Sequence, residues 1–209
     1  MPIDRNRAIH EIKDWLGTGS INFFGTPFAG KDTQCAQLAR RVGAHILSGG
    51  AILRESAARG VLSPEHLASM NSGELIETDI FVNAVTPFLS EPTMTASPLF
   101  LSSVGRVRGE EQGVLQATAA AGHPMRAAVF LDIPASESLR RLEASPARGR
   151  DDDTLESMVT RLCEFDEKIR PVLAVYESLG LLVTVDAMSQ PDIVFDTVAR
   201  SLHDYANAA

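Results

Sequence analysis

One short stretch, Gly25-Thr26-Pro27-Phe28-Ala29-Gly30-Lys31-Asp32-Thr33, constrains this chain more than any other. It fits G-x-x-x-x-G-K-x-[ST]. It follows an apolar run, Ile21-Asn22-Phe23-Phe24, and leads into a segment from Thr33 to Val42 whose apolar residues Cys35, Ala36, Leu38, Ala39 and Val42 recur at helical spacing. Strand, glycine loop and helix in that order let loop amides and a helix N-terminus surround a phosphate. Glycines allow the backbone to wrap the anion, Lys31 adds a mobile cation, and Thr33 offers a hydroxyl to Mg²⁺. A solvated lysine beside an ordinary turn is the plain alternative. Only three lysines, Lys13, Lys31 and Lys168, occur in 209 residues, and one stands where such a loop requires it.

Further apolar runs at Ala44-His45-Ile46-Leu47, Leu99-Phe100-Leu101, Ala127-Ala128-Val129-Phe130-Leu131 and Leu181-Leu182-Val183-Thr184-Val185 alternate with helix-like stretches. This alternation predicts an α/β fold, a parallel β-sheet with helices on both faces. Ile3, Ile9, Ile12, Trp15 and Leu16 predict an outer amphipathic helix within residues 1–20, ahead of a main domain over 21–209. Helices are expected around Glu65 to Met70 and from Thr78 to Phe88, so residues 50–90 form a helical excursion between two strands. Leu155, Met158, Val159, Leu162, Phe165 and Ile169 mark a long helix, Pro171 opens or bends the next, and Asp192 to Tyr205 closes the chain as a helix.

Composition narrows the partners. With 44% hydrophobic and 22% charged residues, disorder and membrane spanning are disfavoured, and no segment approaches ~20 apolar residues. A net charge of -8 gives no basic field for nucleic acid, although a local cluster can hold one small phosphorylated ligand. Cys35 and Cys163 lie far apart with no metal-ligand spacing and read as reduced thiols. The opening, with Asp4, Arg5, Arg7, Glu11, Lys13 and Asp14, lacks a signal-peptide core. A cytoplasmic monomer, with neither nucleic acid nor membrane as partner, is the expectation.

Gly25 to Gln34 resembles the G-x-P-x-x-G-K-x-T-Q loop of adenylate kinases and related nucleoside monophosphate kinases, and later motifs follow in order. Leu47-Ser48-Gly49-Gly50-Ala51-Ile52-Leu53-Arg54 is similar to the family's I-S-T-G-D-x-L-R segment. Val104-Gly105-Arg106-Val107-Arg108-Gly109-Glu110-Glu111-Gln112 lines up with D-G-F-P-R-x-x-x-Q. Phe130-Leu131-Asp132-Ile133-Pro134 is like F-L-D-V-P, and Gly149-Arg150-Asp151-Asp152-Asp153 with Arg161 and Pro171 resembles G-R-x-D-D … R-L … P.

The resemblance implies an enzyme that transfers the γ-phosphoryl group of ATP, with Mg²⁺, to a nucleoside monophosphate, AMP foremost. It assigns Gly25, Pro27, Ala29, Gly30, Lys31, Asp32, Thr33 and Gln34 to ATP, with Thr33 on the metal, and lays Arg141 over the donor adenine. Ser48, Gly49, Arg54, Gly105, Arg108 and Gln112 fall to the acceptor nucleotide, Gln112 reading its base. Lys31, Arg108, Arg150 and Arg161 become the catalytic cations, because charge spread over phosphoryl oxygens is met chiefly by fixed positive groups. Arg141 to Gly149 leaves room only for a short lid, over about 142–152.

Departures from the family pattern gather around the metal. Ala51 and Val104 replace acids associated with Mg²⁺, Phe28 and Asp32 replace glycines, and Ser145 replaces a phosphate-binding Arg, with neighbouring Arg148 an open candidate for its role. A carboxylate at Asp32 repels a naked polyphosphate yet can recover a metal contact. Gly49 enlarges the acceptor pocket, as in members acting on UMP or CMP. Two alternatives follow: a nucleotide-binding module with little turnover, and a kinase for a small non-nucleotide alcohol, against which Arg108 and Gln112 argue.

Overall fold

The computed structural model describes residues 4–49, 55–56, 58–61, 63, 65, 78–91, 96–144 and 155–208. Five strands form one sheet: β1 (Ser20–Gly25), β2 (His45–Ser48), β3 (Leu99–Ser102), β4 (Met125–Asp132) and β5 (Leu182–Asp186). Their order is β2-β3-β1-β4-β5, and every neighbouring pair is parallel. Around them lie α1 (Arg5–Leu16), α2 (Lys31–Val42), α3 (Thr78–Leu89), α4 (Glu110–Ala120), α5 (Ala135–Ala144), α6 (Leu155–Glu164), α7 (Arg170–Ser178) and α8 (Pro191–Ala208).

The centre of the sheet, β1, β3 and β4, is buried on both faces, which is why those strands read as apolar runs, whereas the edge strands β2 and β5 keep exposed positions. Side chains alternate across a strand. Ile21 and Phe23 of β1 with Ala127, Val129 and Leu131 of β4 join the core under α1, α2 and α8. Phe24, Ala128 and Phe130 point the other way, to Phe165, Ile169, Val172, Leu173 and Tyr176. A third cluster under α3 and α4 contains Phe88, Leu89, Leu99, Leu101, Val104, Val114 and Ala117.

The opening helix belongs to the main core. Asp4 caps it by accepting from the Asn6 N–H, and Ile9, Ile12 and Leu16 are buried. Its polar side meets α8: Arg5 pairs with Asp196, Trp15 meets Tyr205 edge-on at 5.9 Å, and His203 Nε2 lies 2.6 Å from Glu11 Oε2. The carboxylate raises the His203 pKa, while Arg7 first and His203 second lower that of Glu11.

Between α6 and α7 the helix runs through a π turn, Phe165–Ile169, closed by the Arg170 N–H on the Phe165 carbonyl. Pro171 follows at the start of α7. A proline has no N–H to give and crowds the carbonyl four residues back, so a wider turn at this point relieves both conflicts.

About half of the excursion expected over 50–90, including nearly all of the helix at Glu65 to Met70, lies outside the described residues, as does the lid from 145 to 152. Among the described residues no helix is long and apolar enough to cross a membrane.

Candidate functional site

In a parallel sheet, loops from the carboxyl ends of the strands share one rim, and they surround a crevice where the strand order switches direction. Here β1 lies between β3 and β4, so the loops after β1, β2, β3 and β4 meet.

The loop after β1 curls tightly. A Cβ on Gly25 would come within 3.3 Å of the Lys31 Cβ and 3.4 Å of the Leu131 carbonyl, so only glycine fits easily. Gly30 has φ 87 and Phe28 has φ 63. At Phe28 this left-handed backbone costs on the order of 1–2 kcal/mol, because a side chain there crowds its own carbonyl. The curl closes on itself where Ala29 N–H donates to Thr26 O at 3.0 Å, and the surroundings bind its next two carbonyls: Ser138 Oγ donates to Pro27 O at 2.7 Å and Arg141 Nη1 to Phe28 O at 3.2 Å. With the carbonyls drawn outward, α2 begins at Gly30 with no side-chain cap. A helix start of this kind has N–H groups without helical partners and carries the positive end of the dipole.

Lys31, 19% exposed, stands at that helix start. Its Nζ bonds to Ser102 Oγ at 2.6 Å and to the Asp32 carboxylate, and Ser102 Oγ donates to Asp32 Oδ1 at 2.7 Å. The Thr33 side chain is exposed beside them. Gln34 is buried at 2% exposure, and its amide ties the helix to the Pro191 carbonyl at 2.9 Å. Beneath, burial pushes the Cys35 thiol up to about 12, so it carries no charge into the site.

The loop after β3 is held in the opposite sense. Glu110 Oε2 accepts from the Arg106 and Val107 N–H groups at 2.8 and 3.2 Å, and Glu111 Oε2 accepts from Gly109 N–H at 2.6 Å. Asn22, inside β1, donates to Val104 O at 2.7 Å and accepts from its N–H at 3.3 Å. Gly105 has φ 72, and a Cβ there would lie 2.7 Å from Val114 Cγ2. Burial raises the Glu110 pKa, opposed by its two backbone hydrogen bonds. Arg108 projects exposed from this pinned loop, as does Gln112 from the first turn of α4. Val104, where the family places an acid, is 2% exposed in apolar packing and offers nothing to a cation.

Gly49 brings the end of β2 against this loop, since a Cβ there would be 3.2 Å from Ser103 O; Ser48 precedes it at the strand's last position. On the other side, Arg161 of α6 lies over the Phe28 ring at 5.9 Å. Arg141 donates through Nη2 to Ala187 O at 2.8 Å and through Nε to Glu137 Oε1 at 2.7 Å, so it clamps the β1 loop to the loop after β5. Arg140 and Arg141 together hold the Glu137 carboxyl down at about 2. The structure therefore brings Lys31, Arg141 and Arg161 to the β1 loop. Arg54, Arg150, Ala51, Ser145 and Arg148 lie outside the described residues.

Sequence reasoning passed over the groups that shape these loops. Asn22 interrupts an apolar strand, and Glu110 with Glu111 opens a helix with adjacent acids. Both are legible as anomalies, though neither names its partner. Ser102 and Ser138 carry no such mark.

Residues 23–181 match the family model described as adenylate kinase. The chain is 30% identical over 185 residues to an adenylate kinase of Thermus thermophilus, covering 88% of this chain and 96% of that one. It is 32% identical over 181 residues to that of Prochlorococcus marinus, covering 86% and 95%. Against that of Agrobacterium fabrum it is 30% identical over 188 residues, covering 86% and 95%.

Proposed function

The chain belongs to the adenylate kinase family, and on that premise we propose that it transfers the γ-phosphoryl group of ATP to a nucleoside monophosphate, with AMP first among acceptors. The observation that carries this reading is the β1 loop, whose Pro27 and Phe28 carbonyls are bound from outside by Ser138 and Arg141 while the start of α2 is uncapped. Such a loop turns N–H groups, not oxygens, toward a polyphosphate.

In the proposed reaction an oxygen of the acceptor phosphate attacks the γ-phosphorus in line. The bond from that phosphorus to the β–γ bridging oxygen breaks, and ADP leaves with the electron pair. No base is required, because the acceptor phosphate is already an anion. Lys31 neutralises donor phosphate oxygens, Arg108 holds the acceptor phosphate, and Arg161 with Arg150 meets the group in transit. Arg141 positions the donor loop and the β5 loop together, and Gln34 braces the helix behind it. Ser48, Gly49, Gly105 and Gln112 line the acceptor side, and Gly49 leaves room for UMP or CMP.

The oxygen donors present suit Mg²⁺: the Asp32 carboxylate, 73% exposed, and the hydroxyl of exposed Thr33 both stand in the first turn of α2. Bound there with the phosphates, the ion would supply charge neutralisation and alignment.

A second reading, nucleotide binding with little turnover, draws on Val104, whose apolar burial removes an acid from the metal's neighbourhood. ADP formation from ATP and Mg²⁺ with AMP, UMP, CMP or GMP separates the two. Turnover greatest with AMP is the expected result. ATP binding without turnover on any acceptor would establish the second reading instead.

A further inference from the structure

Lys31 does not stand free to meet a phosphate. Its ammonium carries three donor hydrogens, and two are directed to Ser102 Oγ and to the Asp32 carboxylate, which Ser102 Oγ itself also bonds at 2.7 Å. The three side chains close a ring at the point where β3 ends and α2 begins. Lys31 is the inner member at 19% exposure, and Asp32 is the outer one at 73%. An approaching polyphosphate therefore meets a lysine already neutralised by its neighbour, and a carboxylate in front of it.

A divalent cation on the phosphates changes the sign of that encounter. Asp32, the exposed member, can turn to the metal as an oxygen ligand, and leaving the ring releases Lys31 toward the phosphate oxygens. Metal-free polyphosphate offers the carboxylate no such destination and must displace it against like-charge repulsion. Resting on the nucleotide reading above, we infer that Asp32 is a specificity-determining residue that latches Lys31 and makes this loop select metal-complexed over metal-free polyphosphate. Ser102 supports the latch by holding both partners.

The plainer role for Asp32 is to complement the helix dipole from the first turn of α2. That role predicts a loss of stability on removal of the charge and no change in how metal and nucleotide depend on each other.

The test is calorimetric titration with a non-hydrolysable ATP analogue, in EDTA and in saturating Mg²⁺ at equal ionic strength. It compares the natural chain with Asp32→Asn, Asp32→Gly and Ser102→Ala, each checked for folding by thermal melting. In the natural chain Mg²⁺ is expected to tighten binding roughly tenfold or more, within the usual range of coupling between two ligands. In both Asp32 variants metal-free binding should strengthen by about the same factor and the gain from Mg²⁺ should shrink to about twofold, with Ser102→Ala intermediate. An equal gain from Mg²⁺ in the natural chain and in Asp32→Asn overturns the latch while leaving nucleotide binding intact. No binding by the natural chain in either condition overturns the functional proposal itself, and the latch with it.

Discussion

The loops after β1 and β3 lie side by side on one rim, and they are pinned through opposite ends of the peptide group. The β1 loop is held by its carbonyls, through Ser138 and Arg141. The β3 loop is held mainly by its N–H groups, through Glu110 and Glu111, with Asn22 binding both the N–H and the carbonyl of Val104. An anion at the first can be bound by backbone, whereas an anion at the second relies chiefly on side chains, because the N–H groups of Val104, Arg106, Val107 and Gly109 are already taken. This difference accounts for a single lysine among glycines on one side and for Arg106 and Arg108 on the other.

Removing a side chain should therefore be most severe where it supplements a backbone cradle at the reacting group. Lys31→Ala is expected to lower ADP formation by roughly 10²–10³-fold, the usual loss when one placed donor to a developing charge is removed. Its melting temperature should stay close to that of the natural chain. Arg108→Ala comes next: with no amides to take over, the acceptor KM should rise about 10- to 100-fold, as expected for loss of a charged hydrogen bond, while the ATP KM holds. A rise in the ATP KM instead would undo the division of the two loops.

The pins themselves give smaller effects. Glu110→Ala orphans the Arg106 and Val107 N–H groups and should cost about 1–3 kcal/mol in urea unfolding. Glu110→Gln retains an acceptor. Burial raises the Glu110 pKa above its unfolded value, so the folded state binds its proton more readily, and stability falls as pH rises through the interval between the unfolded and folded values. At pH 7 the glutamine variant should thus be at least as stable as the natural chain, and the advantage should vanish at pH 4. The smallest effect lies far from both loops. His203 has a raised pKa and Glu11 a lowered one. Their contribution should be lost above the raised His203 value and below the lowered Glu11 value. His203→Ala should remove that pH dependence in thermal melts with only a modest loss of stability, because solvent reaches the pair from the Glu11 side and screens it, and leave turnover unchanged.

The parallel sheet was legible because its central strands, β1, β3 and β4, are buried along nearly their whole length and so read as apolar runs, and the opening helix because Ile9, Ile12 and Leu16 keep its period. The glycine loop showed itself through residues whose backbone demands are severe, Gly25 and Gly30 above all. What supports it was not legible: Ser138 and Arg141 lie more than a hundred residues from the carbonyls they bind, and no local pattern encodes that distance. Asp32 is the instructive case. Sequence placed a carboxylate beside the phosphate loop, but its bonds to Lys31 and Ser102 depend on where β3 ends. Asn22 likewise looks like a flaw in a strand until its Val104 partner is seen.

The π turn between α6 and α7 works as a phase shifter. Each residue advances a helix by about 100°, so one extra residue in the turn re-aims everything ahead of it. The stripe that carries Arg161 over Phe28 and the stripe that buries Val172 and Tyr176 are thereby uncoupled within one continuous rod. Deleting a single residue from Phe165–Ile169 should rotate Arg161 off the rim and disturb the packing of Phe165 against Phe130, so a cation leaves the site and the melting temperature falls without any change to the β1 loop itself.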